Sequence, residues 1–346
     1  VPGDLKLTDK TGPNTISGFV TDADGKPVEG AMVNEPDSGE SAVTDEYGFF
    51  SLRAQGDVTG LEITRRGYRK TYFWVKGDEE PVAELERLYS SLPPSTIVTV
   101  DPAGGGEEPG WIGPAGNKAS DLNLAVAAKL AHLLTSAGVD ARLTRRDDLR
   151  MTPEERVRAN EAAGSDLFIT ISHSPGAVRA ARVGHYHNSR RGIELAGMVK
   201  TYFEASLDDT ATVAATANYL VQQTSCPAVR VVYTAPDTLM GEEGLAEAAA
   251  VWKRAYALFL AALAFRGVQA ESTFSIEGKV TQAGEPAPNA LVIVDGALEV
   301  MTDESGALAL DLLERTDHTI QAYSTTGRSA PSVFNHESAF LEIELE

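Results

Sequence analysis

The chain has 346 residues, of which 42% are apolar and 7% aromatic, which excludes a disordered chain and, at this length, predicts two or three domains rather than one core. Fifty acidic against 30 basic residues leave a formal charge of −20, which repels phosphate backbones and anionic headgroups and so excludes nucleic acid and bare membrane as partners. One cysteine, Cys226, excludes a disulfide scaffold.

The chain opens on Val1 rather than methionine, as a processed or trimmed chain would, with any targeting segment absent. The first elements are short alternating runs at 16–20, 31–34, 48–52, 61–64 and 71–75, separated by Gly, Pro and Asp turns. That rhythm predicts a small antiparallel β-sandwich. DADG at 22–25 has the start of a calcium loop but none of its later acidic positions, so it is read as a plain turn.

From 96 to 266 apolar strands alternate with helical stretches, the pattern of an α/β layer structure with a mostly parallel sheet. Strands are expected at 97–100, 141–144, 167–171, 183–187 and 229–233. A helix over 121–137 has Ser120 as its N-cap, Gly138 as its stop, and Leu122, Val126, Leu130, Leu133 and Leu134 on one face. Thr152-Pro153-Glu154-Glu155 predicts a capping box opening a second helix, and two more are expected over 193–205 and 242–265. Cys226, before the apolar run 227–233, is read as a buried structural thiol. No run of eighteen apolar residues occurs, so no bilayer-spanning segment is expected.

The end of the chain repeats its beginning. ISGFVTDADGKPVEGAMV with VTDEYGFFSL returns as IEGKVTQAGEPAPNALVIV with MTDESGALAL. Two copies of one small domain therefore flank the centre. Linkers at 90–95 and 267–272 give domains at 1–92, 93–267 and 268–346.

Both copies resemble carboxypeptidase regulatory-like, transthyretin-like domains through G-x-V-T, G-x-P, G-A-x-V and T-D-x-x-G, over 13–90 and 273–346. The centre resembles the type 3 N-acetylmuramoyl-L-alanine amidases over 96–265. It does so through IVTVDPAGGGEEPGWIGPAG, SDLNLAVAAKLAHLL, VDARLTRRDD, ERVRANEAAGSDLFITIS and CPAVRVVY, in that order. The resemblance implies a three-layer α/β domain, and a zinc enzyme acting on peptidoglycan.

It also implies where the chemistry would sit. The family's Gly-His-Gly-Gly turn falls on 103–106, which puts Gly104 at the first zinc ligand. The ligand Glu falls on Ala119, the second ligand His on Ser172, and the catalytic Glu on Val232. Glycine, alanine and valine offer a cation no lone pair, a serine hydroxyl is a poor zinc ligand, and valine carries no proton.

These four are therefore vestigial positions, with no catalytic residue, metal or cofactor expected. Asp101, Glu108, Arg145 and His173 are candidates for lining a ligand cleft. The rival reading is a displaced zinc site built from His173, His185 and His187. His185 and His187 would share one face of the 183–187 strand, although a one-residue shift turns His173 away from the old site. His132, His318 and His336 are assigned to structure.

The first functional expectation is a catalytically inactive, extracytoplasmic bacterial protein that binds or scaffolds in the cell envelope, its partner a peptidoglycan fragment or an envelope protein. The alternative is a zinc-dependent amidase or other peptidoglycan hydrolase with a relocated metal. A second alternative gives the terminal sandwiches the function, as carbohydrate- or protein-binding modules.

Overall fold

A computed structural model of the chain describes residues 15–53, 58–76, 80–207 and 209–346; Val1, on which the expectation of a processed start rests, lies outside them. The chain divides into two compact units, Val1–Leu88 with Asp295–Ala297, and Tyr89–Val294 with Leu298–Glu346.

The first unit is a sandwich of β1 (Thr15–Asp22), β2 (Met32–Glu35), β3 (Glu40–Val43), β4 (Phe49–Arg53), β5 (Val58–Thr64), β6 (Thr71–Lys76) and β7 (Val82–Leu85). One sheet runs β4-β1-β7 and the other β3-β2-β5-β6. Alternate residues of both sheets point inward, so that Val20, Val33, Phe50, Leu61, Ile63 and Leu85 form one core. The described pairings are antiparallel except β1 with β7, which is parallel. Strand β7 follows β6 of the other sheet rather than a hairpin turn, which leaves it free to enter beside β1 in the same direction.

The T-D-x-x-G signature has a physical basis here. The Thr44 hydroxyl donates to the Val28 carbonyl (2.6 Å) and accepts from the Ala31 amide (2.8 Å). Asp45 accepts from the amides of Tyr47 and Phe49. Gly48 has φ +74°, and a Cβ there would lie 2.3 Å from the Val20 carbonyl oxygen, so only glycine fits.

The second copy repeats each feature. Thr302 bonds the Ala287 carbonyl (2.7 Å) and the Ala290 amide (2.8 Å), Asp303 caps Ser305 and Ala307, and Gly306 has φ +73° against the Val280 carbonyl. Thr44→Val and Thr302→Val each orphan a buried amide and a buried carbonyl. Each is expected to destabilise its own sandwich by about 1–3 kcal/mol in a urea titration, and a loss near zero would show that the backbone finds other partners.

The second unit begins with β8 (Ile97–Pro102), α1 (Ala119–Ser136), β9 (Asp140–Leu143), α2 (Pro153–Ala163), β10 (Leu167–Pro175), β11 (Ala180–His185) and α3 (Arg190–Leu207). It continues through β12 (Thr210–Ala215), α4 (Tyr219–Gln223), β13 (Ala228–Ala235), α5 (Leu239–Glu242) and α6 (Ala248–Phe265). The sheet order is β12-β11-β13-β10-β8-β9. All neighbours are parallel except β11 and β13, which makes it the mostly parallel sheet expected.

Several local expectations shift. The Thr152–Glu155 capping box opens α2, which ends on Gly164 in the left-handed region. Ser120, by contrast, is not a cap: α1 starts at Ala119. The Ala119 and Ser120 amides donate to the carbonyls of Trp111 and Pro109, so a folded-back loop does the capping. Strand β11 ends at His185, leaving His187 beyond it. Strand β12, an edge strand of small residues without clear alternation, and the short α4 and α5 were not anticipated.

Helix α6 has the length and composition to cross a membrane, although Lys253 and Arg254 interrupt its apolar run. Its Leu258–Ala262 stretch is nonetheless buried inside this unit.

The second sandwich comprises β14 (Thr273–Gln282), β15 (Glu285–Pro286), β16 (Leu291–Val294), β17 (Leu298–Met301), β18 (Ala307–Glu314), β19 (His318–Tyr323), β20 (Ser332–Phe334) and β21 (Leu341–Leu345). Again one pairing, β14 with β21, is parallel. This sandwich is fastened to the helices of its unit. The Trp252 indole donates to the Glu299 carbonyl (3.2 Å), the Asp311 amide donates to the Tyr256 hydroxyl (3.0 Å), and His132 pairs with the Glu299 carboxylate (3.0 Å). His318 bonds the Glu314 carbonyl and stacks on Phe334, and His336 meets the edge of Phe274.

Candidate functional site

In open α/β sheets, ligand sites lie outside the carboxyl ends of the central strands. Here those ends belong to β8, β10 and β13. Register sets Pro102 beside Ile171, Ser172 beside Val232 and His173 beside Tyr233. The Ala103 amide donates to the Ile171 carbonyl (2.9 Å), which carries the glycine turn across the top of β10. The start of α1 closes the group, since a Cβ on Gly104 would lie 3.4 Å from the Ser120 Cβ and one on Gly110 3.1 Å from the Ala119 Cβ.

Gly104, Ser172 and Val232 thus lie toward the carboxyl ends of central strands, with Ala119 at the start of α1. Their side chains are a hydrogen, a hydroxyl, an isopropyl and a methyl group, and only Ser172 carries a heteroatom. Its Oγ is buried and finds no partner among the described residues. Zinc takes imidazole, thiolate or carboxylate ligands, so this donor set does not fit the ion. The turn itself excludes a larger side chain. Gly104 has φ +73°, and a Cβ would stand 2.6 Å from the Glu108 carbonyl oxygen. Reciprocal bonds between the Gly105 and Glu108 backbones hold that carbonyl in place.

The turn is clamped from beneath. Asp101, fully buried, accepts from Thr144 (2.6 Å), Thr170 (2.7 Å) and Arg156 (2.6 Å). Arg156 also donates to the carbonyls of Pro102 (2.9 Å) and Gly104 (2.8 Å). Arg145 donates to the carbonyls of Pro102, Ala103 and Ser120, and its proton affinity is lowered by burial and by the Arg156 cation. Asp101 and Arg145 therefore do not line a cleft as expected. Asp101 is spent on Thr144, Thr170 and Arg156, and Arg145 on backbone carbonyls around the loop. Glu108 is exposed and pairs with Arg150 (2.9 Å).

His173 is the expected cleft residue with a buried ring nitrogen that has no partner among the described residues. Asn123 donates through its amide nitrogen to the Ala103 carbonyl (2.8 Å), so its Oδ1 faces His173 Nδ1 (2.7 Å) as an acceptor. Nδ1 must therefore carry the hydrogen, and Nε2 presents a bare lone pair. That Nε2 is buried without a partner among the described residues. Beyond the ring lies a cavity of about 10 Å³ bounded by Trp111, Arg179, Tyr233 and Arg254, room for about one water. Burial, seconded by the Arg254 cation, holds the imidazole pKa well below its ordinary value, so the ring is neutral and its surroundings oppose a second cation.

The displaced metal trio is not assembled. His173 is opposite Tyr233 and His185 opposite Val229, on the two flanks of β13 and four residues apart along it. That offset is roughly 13 Å along the strand, with two strand spacings across it, too far for one ion. His187 sits past the end of β11, its ring against Tyr186. Among the described residues, no group of three or more His, Cys, Asp or Glu could hold a metal. Cys226 is partly exposed rather than buried. Its thiol is pushed up to about 11 by burial, which makes it a poor nucleophile.

One contact had no counterpart in the sequence reading. The Glu242 carboxylate accepts from the amides of Ala115 (2.5 Å) and Asn117 (2.9 Å). Gly113 leaves the room, since a Cβ there would lie 2.4 Å from that carboxylate. The glycines of the 110–116 loop were the available signal; a partner over a hundred residues away was not.

Residues 98–235 match the family model described as N-acetylmuramoyl-L-alanine amidase. The amidase AmiA of Escherichia coli is 37% identical over 98 residues, 28% of this chain and 34% of that protein. The putative amidase YrvJ of Bacillus subtilis is 39% identical over 79 residues, 23% of this chain and 15% of that protein. The chain spans about a third of the length of the first curated relatives it matches. Among solved structures, the catalytic domain of the amidase CwlV from Bacillus (Paenibacillus) polymyxa aligns with TM-score 0.47 and 19% identity over 50% of this chain and 99% of that one. The amidase AmiC2 of Nostoc punctiforme aligns with TM-score 0.44 and 25% identity over 49% of this chain and 96% of that one. The central domain is amidase-like, and the flanking strands add sheets of a different kind.

Proposed function

We propose that the protein is a catalytically inactive relative of the amidases, working as a binding or scaffolding module of the bacterial cell envelope, outside the cytoplasm, with peptidoglycan or an envelope protein as partner. Three folding modules, 1–92, 93–267 and 268–346, would serve it, the outer two regulatory-like sandwiches. One observation carries the reading. The positions where the resemblance puts zinc ligands and base, after β8, on β10 and β13 and at the start of α1, hold Gly104, Ala119, Ser172 and Val232.

Without a cation to polarise an amide and without a carboxylate to move a proton, orientation alone is left, and orientation does not hydrolyse an amide at a useful rate. Zinc has no place in this scheme. The relocated-metal alternative loses its support in the separation of His173 from His185.

Protein purified from zinc-supplemented cells is expected to carry well below one equivalent of zinc by elemental analysis, to melt at the same temperature with or without chelator, and to sediment with purified sacculi without releasing peptide. Stoichiometric zinc, or muropeptide cleavage by the native chain, would overturn inactivity; failure to sediment with sacculi would overturn the peptidoglycan partner.

A further inference from the structure

The outer face of the β3-β2-β5-β6 sheet carries two aromatics that the core does not use. Tyr72 and Trp74 project from β6, an edge strand, with 63% and 74% of their surface exposed. They are two residues apart and so share a face. Trp74 lies opposite Gly60 of β5, and a Cβ on Gly60 would come within 3.1–3.4 Å of three atoms of the six-membered indole ring. The indole therefore rests flat on bare backbone and offers its other face to solvent. Beside it, Lys70 lies 5.0 Å from the Tyr72 ring centre and 2.8 Å from the Glu62 carboxylate, and Asn34 is the cross-strand neighbour of Glu62.

The internal repeat supplies a control. Pairing Val33 with Ile63 corresponds to pairing Val292 with Ala322, so Gly60 and its neighbour Trp74 correspond to Thr319 and its neighbour Val333. The same sandwich is thus built without a flat aromatic or the glycine beneath it. Folding does not require the platform.

We propose that Tyr72 and Trp74 form a binding platform for an uncharged polysaccharide strand. An aromatic face is the negative pole of its quadrupole and suits the C–H faces of pyranose rings, while Lys70, Glu62 and Asn34 supply donors and acceptors for hydroxyls. The charge of −20 disfavours an anionic polymer. A protein partner is the weaker fit, because binding hot spots favour enclosed, desolvated pockets and this surface is open and ringed by polar groups. The inference deepens the reading that gives the terminal sandwiches a carbohydrate-binding role, and it is independent of the fate of the central domain.

The test uses the full chain and soluble β-1,4-linked N-acetylglucosamine oligosaccharides, with calorimetry and tryptophan emission as readouts. Saturable binding is expected. Trp74→Ala is expected to weaken it about tenfold, Trp74→Phe to retain most of it, and Gly60→Thr, which keeps the indole but lifts it, to weaken it like Trp74→Ala. Val333→Ala is expected to change nothing. No saturable binding by the native chain, or binding that Trp74→Ala and Gly60→Thr leave intact, overturns the proposal, as does a partner protein captured through Trp74 with no sugar bound. An active, zinc-loaded chain that still loses sugar on Trp74→Ala would sink the inactive reading and leave the platform standing.

Discussion

Asp101→Ala is expected to destabilise the amidase-like domain by about 3–5 kcal/mol, the usual consequence of removing one partner of a buried ion pair. Asp101 is wholly buried, and Arg156 opposite it nearly so. Without the carboxylate, the guanidinium keeps its bonds to the carbonyls of Pro102 and Gly104 but loses its one anionic partner among the described residues. The hydroxyls of Thr144 and Thr170 lose their acceptor as well.

Asp101→Asn, which retains one acceptor oxygen, is expected to cost less. Urea unfolding followed by circular dichroism measures both, with Glu108→Gln as an exposed control expected to shift little. A loss below about 1 kcal/mol for Asp101→Ala would mean that water reaches Arg156, and the cluster could then be a cleft rather than a clamp.

What the sequence disclosed and what it hid divide along the range of the interactions. The capping box at Thr152 is closed within four residues, and the T-D-x-x-G turn is mostly local, so both are legible from spacing. The apolar face of α1 is legible because burial imposes its period. The cap of α1 was misread because the carbonyls of Pro109 and Trp111, not a side chain, serve its first amides. Arg145 and Asp101 are cleft candidates by their place in the sequence near the glycine turn. Their burial depends on Arg156, Thr170 and the start of α1, which only the tertiary fold brings in. The pairing of His185 with His187 failed by two residues of strand end, a margin no periodicity resolves. The Tyr72–Trp74 face needed both the register of β6 on β5 and the comparison between the repeats.

Restoring the family residues is expected to fail at the turn. In the quadruple variant Gly104→His, Ala119→Glu, Ser172→His and Val232→Glu, the last three sites are buried or half-buried and must repack around the larger side chains, but it is the first that also meets the backbone. Position 104 requires a left-handed backbone, which costs a non-glycine residue about 1–3 kcal/mol, and its Cβ would meet the Glu108 carbonyl oxygen at 2.6 Å. The loop cannot yield cheaply, because Arg156 holds the Gly104 carbonyl and the Gly105 and Glu108 backbones hold each other.

The variant should therefore bind well below one equivalent of zinc and cleave no muropeptide, and most of its lost stability should come with the Gly104→His step, measured against the triple variant that keeps Gly104. Stoichiometric zinc with cleavage in the quadruple variant would show that the turn is pliable. Dormancy would then rest on four side chains alone, with the backbone still shaped for the chemistry.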